Sequence, residues 1–387
     1  MSFDPNASTG SSPSPDRRDL LKWSTALAGS AALGGATAQA QSSGPAGQPA
    51  PANPATAATL RKGSFGFTLA SEQFTAPELV QLGAEASKSG FHVLANSDHL
   101  QPWQANQGHC SQAWVTIGAL GAQATQSVMG TSVTCPTLRY NPAVVAEGFA
   151  SLSQLYPGRI FLGVGSGEAL NEQAATGTWP NWQERWDRLI ESIEIIRALW
   201  SGQPVTHAGK YYTVDARLYD PPAQPIPIMT AANGKKSMRL AGIHGDGLIS
   251  DPKTWKQYKS EWEAGARSAG KDPAKMPVMI EHYVVVGDAA DVRYAAERWR
   301  FGPKAFKTLY NVRSPVVIQQ KAEAETPLEE VSKAWPTGTD PKVHVDAAKA
   351  LFDSGVSVVN VHSGQTDQRK VIAFYAKHVL PALPQPA

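Results

Sequence analysis

Short apolar runs alternate with amphipathic stretches along this chain from about residue 61 onward. Eight of the runs have the length of buried parallel strands. They are Phe65–Leu69, His92–Ala95, Val128–Val133, Ile160–Val164, Ile226–Thr230, Gly247–Ile249, Val278–Val286 and Val356–Val361. Eight strands with helices between them fit a (β/α)8 TIM barrel better than a doubly wound sheet. The pattern therefore predicts an α/β barrel.

Two of the stretches between the runs have clear helical signals. Pro77 is placed to begin one helix in its first turn, with Leu79, Leu82 and Ala86 on one face. The clearest helix spans about 182–200, where apolar residues repeat at a 4-3-4-3 spacing. Asn181 with Glu184 predicts a capping box at its start.

The segment from about 301 to 335 does not fit the alternation of strands and helices. We predict that it is an inserted helical segment, near the C-terminal third, that covers one end of the barrel.

The first 40 residues match an export signal. Arg17-Arg18-Asp19-Leu20-Leu21-Lys22 fits the twin-arginine pattern, and Ala38-Gln39-Ala40 is a small-x-small cleavage site. The stretch between them contains many Gly, Ala and Ser residues, so it is too polar for a stable transmembrane anchor. We therefore predict export through the twin-arginine (Tat) machinery to the periplasm or cell envelope. This route carries folded proteins and suits an enzyme that loads a cofactor before export.

Residues 41–62 are mostly Pro, Ala, Gly and Ser, a composition typical of a flexible linker. The predicted organisation is a signal peptide over 1–40, this linker, and a catalytic barrel over 63–387.

Composition and charge exclude several classes of protein. Hydrophobic residues make up 42% of the chain, as in an ordinary globular protein. The formal charge of +2, with no basic stripe, gives no reason to expect nucleic-acid binding. Cys110 and Cys135 could form one disulfide, but two buried thiols are favoured. No arrangement of histidines indicates a metal site.

Polar and ionisable residues follow the first four predicted strands, at the barrel end where TIM-barrel enzymes place their chemistry. The segments are Ser71-Glu72-Gln73, Asn96-Ser97-Asp98-His99, Thr134-Cys135-Pro136 and Gly165-Ser166-Gly167-Glu168. His99 can act as a general base because its ordinary pKa is near neutrality. Glu168 follows a glycine-rich turn whose backbone can approach a flat cofactor closely. Asp98 should point away from His99, because neighbouring residues on an extended segment face opposite sides.

Other catalytic motifs are absent. The segment 163–168 is close to a dinucleotide fingerprint, but Glu168 stands at its last glycine position and it follows the fourth strand instead of the first. The chain has no Walker lysine, and Ser166 is not in a nucleophile elbow.

From about Ser64 to its C-terminus, the chain resembles the deazaflavin (coenzyme F420) dependent branch of the luciferase-like superfamily. More narrowly, it is similar to the glucose-6-phosphate dehydrogenases and exported hydroxymycolic-acid dehydrogenases of that branch. The blocks that carry the resemblance are Ser71-Glu72-Gln73-Phe74, Ser97-Asp98-His99-Leu100-Gln101-Pro102-Trp103, Arg139-Tyr140-Asn141-Pro142 and Gly167-Glu168-Ala169-Leu170-Asn171-Glu172.

The resemblance implies roles for these residues. His99 would be the catalytic acid/base on the substrate hydroxyl, with Glu72 behind it. Glu168 would serve the ring nitrogen of the coenzyme, and Trp103 would line the reacting face. The residues implied to hold the coenzyme are Asp98, Ser132, Val133, Cys135, Ser166, Gly167, Asn171, Asn233, Gly234, Lys236 and Ser237.

Two details of that implied site concern the backbone. A cis peptide bond is implied at Ser132-Val133, behind the ring. The coenzyme phosphate would bind at the Asn233-Gly234 turn and the helix start after it, since helix N-termini favour anions.

The chain departs from the family's pattern at four positions, one of which is Asn233, in place of the first glycine of the phosphate turn. Cys135 replaces a threonine of the sugar-phosphate enzymes, as in the hydroxymycolic-acid group. Asp251 and Ala334 stand where a threonine and an arginine bind the substrate phosphate. A carboxylate beside a phosphate is repulsive, although Lys253 and Lys333 are close enough in sequence to compensate. Glucose 6-phosphate is therefore disfavoured as the substrate.

The leading hypothesis is an oxidoreductase that transfers a hydride between the CH–OH carbon of a small-molecule or lipid alcohol and coenzyme F420. One alternative is an FMN-dependent luciferase-like monooxygenase. Another is an exported protein that binds a ligand without turnover. We also expect a homodimer.

Overall fold

Eight parallel strands close into a barrel in the computed structural model, which describes residues 60–383. The barrel strands are β1 (Ser64–Leu69), β2 (Val93–Asn96), β3 (Val128–Thr131), β4 (Ile160–Val164), β7 (Ile228–Ala231), β8 (Gly247–Ser250), β9 (Val278–Tyr283) and β10 (Val358–His362). Between β4 and β7 the chain forms a small separate hairpin of β5 (Val205–Ala208) and β6 (Thr213–Ala216). Neighbours in the barrel follow chain order, and β10 closes it against β1. All eight predicted strands and the TIM-barrel fold are confirmed.

Strand boundaries differ from the prediction where the local backbone changes. β3 ends at Thr131, two residues before the predicted end, and β9 ends at Tyr283, three residues before the predicted end. The strand predicted to begin at Ile226 begins at Ile228, after Pro227, which lacks the N–H that a ladder needs. The antiparallel hairpin β5–β6 was not predicted, because its strands are short and largely exposed.

Helices lie between the barrel strands in the described part of the chain. They are α1 (Ala76–Lys88), α2 (Ala113–Leu120), α3 (Pro142–Leu155), α4 (Glu172–Thr176), α5 (Trp182–Trp200), α6 (Lys235–His244), α7 (Pro252–Ser268), α8 (Ala289–Arg298), α9 (Pro315–Glu325), α10 (Leu328–Ser332), α11 (Pro341–Asp353) and α12 (Gln368–Phe374). Pro77 lies in the first turn of α1, as predicted. Asn181 caps α5 by accepting the Glu184 N–H at 3.0 Å, but the Glu184 carboxylate bonds Arg188 instead of closing a box.

One apolar cluster fills the inside of the barrel. It contains Leu60, Val93, Ala95, Phe161, Met229, Ile249, Met279 and Val358. Leu60 is 1% exposed, so the folded domain begins before residue 63, where the prediction placed the end of the linker. The predicted signal peptide and the linker up to residue 59 lie outside the described residues.

The segment 301–335 is helical and covers the C-terminal end of the barrel, as predicted. It contains α9, α10 and two short 3-10 turns. Phe301, Leu309 and Ile318 bury their side chains in a cluster with Trp103 and Leu170, which follow β2 and β4. None of the described helices has both the length and the apolar character needed to cross a bilayer.

Candidate active site

The loops after β1 and β2 bring His99 and Glu72 together at the barrel mouth. Nδ1 of His99 lies 3.7 Å from Oε1 of Glu72, and the two side chains are 10% and 3% exposed. This Nδ1 is buried and has no hydrogen-bond partner. The imidazole therefore faces the mouth with a carboxylate behind it, in the order that the resemblance implies.

Glu72 is fixed by its neighbours. The Ser97 hydroxyl donates to Oε2 of Glu72 at 2.7 Å. The Ser71 hydroxyl lies 2.8 Å from the Ser97 hydroxyl and ties the two loops together. A carboxylate held this way can orient the imidazole and stabilise it when it is protonated.

Trp103 forms an aromatic wall beside His99. The two ring centroids are 5.9 Å apart. On its other side Trp103 stacks on Phe301 at 4.6 Å and 11°. The inserted segment thus holds the tryptophan in place and excludes water from this side of the mouth.

Asp98 points away from His99, as predicted, and its carboxylate binds three protein donors. They are the Thr134 hydroxyl at 2.5 Å, Nη2 of Arg139 at 3.1 Å and the Tyr140 hydroxyl at 3.3 Å. Burial, and after it the Asp98 charge, raises the pKa of Tyr140 to about 12. The Asp98 side chain therefore joins the loops after β2 and β3.

Glu172 and Arg139 fix the turn that carries Glu168. Oε2 of Glu172 accepts the Arg139 backbone N–H at 2.7 Å, and burial raises the pKa of this carboxyl to about 7. Gly167 has φ +76, and a Cβ there would lie 2.7 Å from both Glu172 Cγ and the Cys135 sulfur. Only glycine fits this turn, which leaves Glu168 half-buried at the mouth.

Asn171 joins the Glu168 loop to the His99 loop. Its Oδ1 accepts the Leu100 N–H at 2.8 Å, and its Nδ2 donates to Oε2 of Glu168 at 3.3 Å. The predicted residues of strands two and four are therefore in one connected site.

The wall after β3 contains the cis peptide Ser132-Val133 that the resemblance implies. A Cβ at Gly165 would lie 2.7 Å from Cγ2 of Val133, so the two loops pack closely. Ser166 is half-buried beside them. Cys135 is buried, 3.0 Å from the Thr137 hydroxyl.

Both cysteines are thiols, as predicted. Burial raises the pKa of Cys110 and of Cys135, which makes both poor nucleophiles.

The predicted phosphate-binding turn lies at the start of α6. The Ser237 hydroxyl oxygen accepts the N–H groups of Gly234 at 3.0 Å and Asn233 at 3.3 Å. Lys236 is exposed, Lys235 pairs with Glu261 of α7 at 3.3 Å, and the first turn of α6 contains no acidic residue. This helix start is cationic.

The start of α7 is different, because a carboxylate of the chain already occupies it. Asp251 Oδ1 accepts the N–H groups of Lys253 at 3.0 Å and Thr254 at 2.9 Å. Ala334 and Lys333 are exposed on the inserted segment.

Two polar residues at the ends of β9 and β10 were not predicted as part of the site. Oε1 of Glu281 lies 2.7 Å from Nδ1 of His362. Glu281 lies within the predicted strand 278–286, as it does within β9, so a search of the residues that follow the strands missed it. Recognising the alternation of facing directions along that strand would have identified Glu281.

Residues 57–350 match the model of the luciferase-like monooxygenase family. The chain is 45% identical over 321 residues to an F420-dependent hydroxymycolic acid dehydrogenase of Mycobacterium tuberculosis, spanning 82% of this chain and 88% of the relative. It is 39% identical over 330 residues to an F420-dependent glucose-6-phosphate dehydrogenase of Gordonia bronchialis, spanning 82% and 97%.

A similar solved structure is an F420-dependent secondary alcohol dehydrogenase in complex with an F420-acetone adduct. The two chains match with a TM-score of 0.78 and 33% identity, over 83% of this chain and 99% of that one.

Proposed function

Since the chain belongs to the luciferase-like family, within its F420-dependent dehydrogenases, we propose that it oxidises an uncharged alcohol with coenzyme F420 and also runs in reverse. The enzyme is an F420-dependent oxidoreductase. The observation that carries the choice of an alcohol is the imidazole of His99 at the mouth, with the Glu72 carboxylate 3.7 Å behind it. Removing a hydroxyl proton requires such a base.

The described residues fit this coenzyme. Gly165 and Gly167 leave room where a side chain would collide with neighbouring loops, and the start of α6 is cationic. Ser132, Val133, Ser166 and Asn171 would hold the ring. Asn233, Gly234, Lys236 and Ser237 would hold its phosphate.

When bound, coenzyme F420 accepts the hydride that leaves the alcohol carbon. Because Nδ1 of His99 faces Glu72, Nε2 is the atom that takes the hydroxyl proton. Glu72 then lies beside a cationic imidazole and stabilises it. Trp103 would bound the reacting face, and Glu168 would supply the proton that the ring nitrogen takes up on reduction and regain one from solvent. The carbonyl product leaves with the proton retained on His99, from which solvent removes it.

An uncharged substrate is supported by the acidic side chains at the mouth. Asp251 fills the α7 start that a substrate phosphate would otherwise use. Ala334 supplies no cation, and Lys253 and Lys333 are exposed. A sugar phosphate would therefore meet a carboxylate instead of a cationic cradle.

The cofactor test compares coenzyme F420 with FMN. Purified protein should quench F420 fluorescence at micromolar concentrations and bind FMN far more weakly. Tighter FMN binding with oxygen consumption would favour the monooxygenase alternative. Binding of F420 without turnover of any alcohol would favour the non-catalytic binding protein.

Export by the twin-arginine route is part of this proposal, supported by Arg17-Arg18 and Ala38-Gln39-Ala40. Changing both arginines to lysine should leave uncleaved, folded precursor in the cytoplasm, as fractionation would show. Normal export of that variant would contradict the proposal. We also propose that the protein forms a homodimer, which sedimentation measurements would test.

A further inference from the structure

A second histidine–carboxylate pair lies at the barrel mouth, where β9 and β10 end. Nδ1 of His362 and Oε1 of Glu281 are 2.7 Å apart. The mechanism above does not use this pair. Its two residues are neighbours because β9 and β10 are paired, with Tyr283 opposite His362 and Glu281 opposite Asn360.

The Glu281 side chain points into the barrel. Side chains alternate along a strand, and Met279, two residues earlier, belongs to the interior cluster. The Glu281 side chain is nevertheless 34% exposed, so it reaches the open space of the mouth. Burial, and after it the charges of Glu281, Glu72 and Asp251, raises the pKa of Tyr283. These carboxylates therefore act on the same phenol at the mouth.

His362 is held rigidly behind Glu281. Its ring stacks on Tyr283 at 4.4 Å and 24°, and Trp299 meets it edge-on at 4.3 Å. The Trp299 indole N–H donates to Oε1 of Gln73 at 2.7 Å, which locks the tryptophan. The His362 side chain is only 3% exposed. A donor packed on two faces fixes the carboxylate that it binds.

The two histidine–carboxylate pairs differ in which member is the more exposed. In the first pair the imidazole is the more exposed member, at 10% against 3% for Glu72. In the second the carboxylate is the more exposed member, at 34% against 3% for His362. An exposed imidazole can take a proton from the substrate, whereas an exposed carboxylate accepts hydrogen bonds and repels anions.

We propose that Glu281, positioned by His362, accepts a hydrogen bond from a second hydroxyl of the substrate, and that the enzyme therefore prefers uncharged diols or polyols. This inference rests on the proposed function and names a substrate class for the same site. Glu281 contacts the substrate as a specificity residue, and His362 acts through it.

The test compares a secondary alcohol with diols of the same carbon skeleton, the second hydroxyl being moved stepwise along the chain. For the wild type, kcat/KM should be about 10- to 100-fold higher for the best diol, the usual range for a hydrogen bond to a charged group. Glu281→Leu should remove this preference, so that kcat/KM for the best diol falls to about the value for the monoalcohol. Glu281→Gln, which keeps the shape and an acceptor oxygen, should retain part of it, and His362→Phe should reduce it.

Calorimetric binding of the same diols to enzyme loaded with reduced F420, which cannot accept a hydride, gives a second readout that needs no turnover. Glu147→Gln, an exposed helix residue, is the control, and F420 affinity should be equal in all variants. No diol preference in rate or binding, or a preference that persists undiminished in Glu281→Leu, would overturn the inference while alcohol oxidation stands. Diol binding that depends on Glu281, without any alcohol turnover, would support the subsite and contradict the proposed function.

Discussion

α6 and α7 follow the neighbouring strands β7 and β8, but the charges around their N-termini differ in sign. Both N-termini carry the partial positive charge of a helix dipole. At α6 this charge is reinforced by exposed Lys236, with no acidic residue in the first turn, while Lys235 pairs with Glu261 of α7 at 3.3 Å. At α7 it is neutralised by Asp251, whose carboxylate accepts two backbone N–H groups.

A sugar-phosphate enzyme of this family would need two anion sites, one for the coenzyme phosphate and one for the substrate phosphate. In this chain the two helix starts differ in whether they can accept an anion. The α6 start suits the phosphate of the coenzyme, and the α7 start is already filled by a side chain. Coenzyme binding and substrate choice should therefore respond to different substitutions, and neither helix start should carry the chemical step.

The largest effect is expected at His99, which follows β2 and belongs to neither helix start. His99→Ala should lower kcat by about 10²–10⁴, because one acid/base group is removed. F420 affinity, measured by fluorescence quenching, should change little. The control is His92→Ala, a substitution just before β2 at the opposite end of the barrel. A normal rate in the folded fraction of His99→Ala, with only a lower Tm, would move the base elsewhere, first to Glu72.

A smaller effect is expected at the start of α6. Lys236→Ala should weaken F420 binding about fivefold, since an exposed ion pair contributes up to about 1 kcal/mol. The rate at saturating coenzyme should be unchanged. Lys88→Ala, at the C-terminal end of α1, is the matched charge control. Unchanged F420 affinity in Lys236→Ala, with a lower kcat, would contradict the assignment of this turn to the coenzyme.

At the filled helix start, Asp251→Ser keeps a capping oxygen and removes the charge. Inorganic phosphate should then inhibit alcohol oxidation about fivefold more strongly, as about 1 kcal/mol of repulsion between hydrated charges is lost. Asp251→Ala, which also loses the cap, should cost about 0.5–2 kcal/mol of stability. Equal phosphate inhibition of wild type and Asp251→Ser would show that this helix start lies away from the substrate.

The smallest effect concerns the pH dependence of stability. Burial raises the pKa of Glu172 from 4.5 to about 7 in the folded protein. The folded state then binds more protons than the unfolded state between these values, so stability should decline as pH rises through that window. Glu172→Gln should flatten the Tm profile by a few degrees over this range. If the wild-type Tm rose between pH 4.5 and about 7, and this rise disappeared in Glu172→Gln, the raised pKa of the Glu172 carboxyl would be contradicted.

The barrel could be predicted because each buried strand is a short apolar run and each neighbouring helix has its own periodicity. The hairpin β5–β6 could not, since its residues alternate in exposure over only four positions per strand. Leu60 was assigned to the linker because its neighbours are Ala, Thr and Pro. Only the closed barrel supplies the interior that buries it.

The His99 side of the mouth could be predicted because its residues follow directly after strands. The protein partners of Asp98 and the place of Glu281 in the site could not. The contact of Asp98 with the coenzyme stays a prediction, but its hydrogen bonds to Thr134, Arg139 and Tyr140 could not be predicted, because those partners come from another loop. Tertiary contacts of this kind leave no periodic signal in the sequence.

The most direct test of the account follows F420 fluorescence after mixing purified enzyme and oxidised coenzyme with either isopropanol or glucose 6-phosphate. We predict that fluorescence falls with isopropanol as the coenzyme is reduced, and that it stays constant with glucose 6-phosphate. The His99→Ala enzyme, loaded with the same amount of coenzyme, should stay fluorescent with both. Rapid loss of fluorescence with glucose 6-phosphate and none with isopropanol would contradict the central claim that the substrate is an uncharged alcohol.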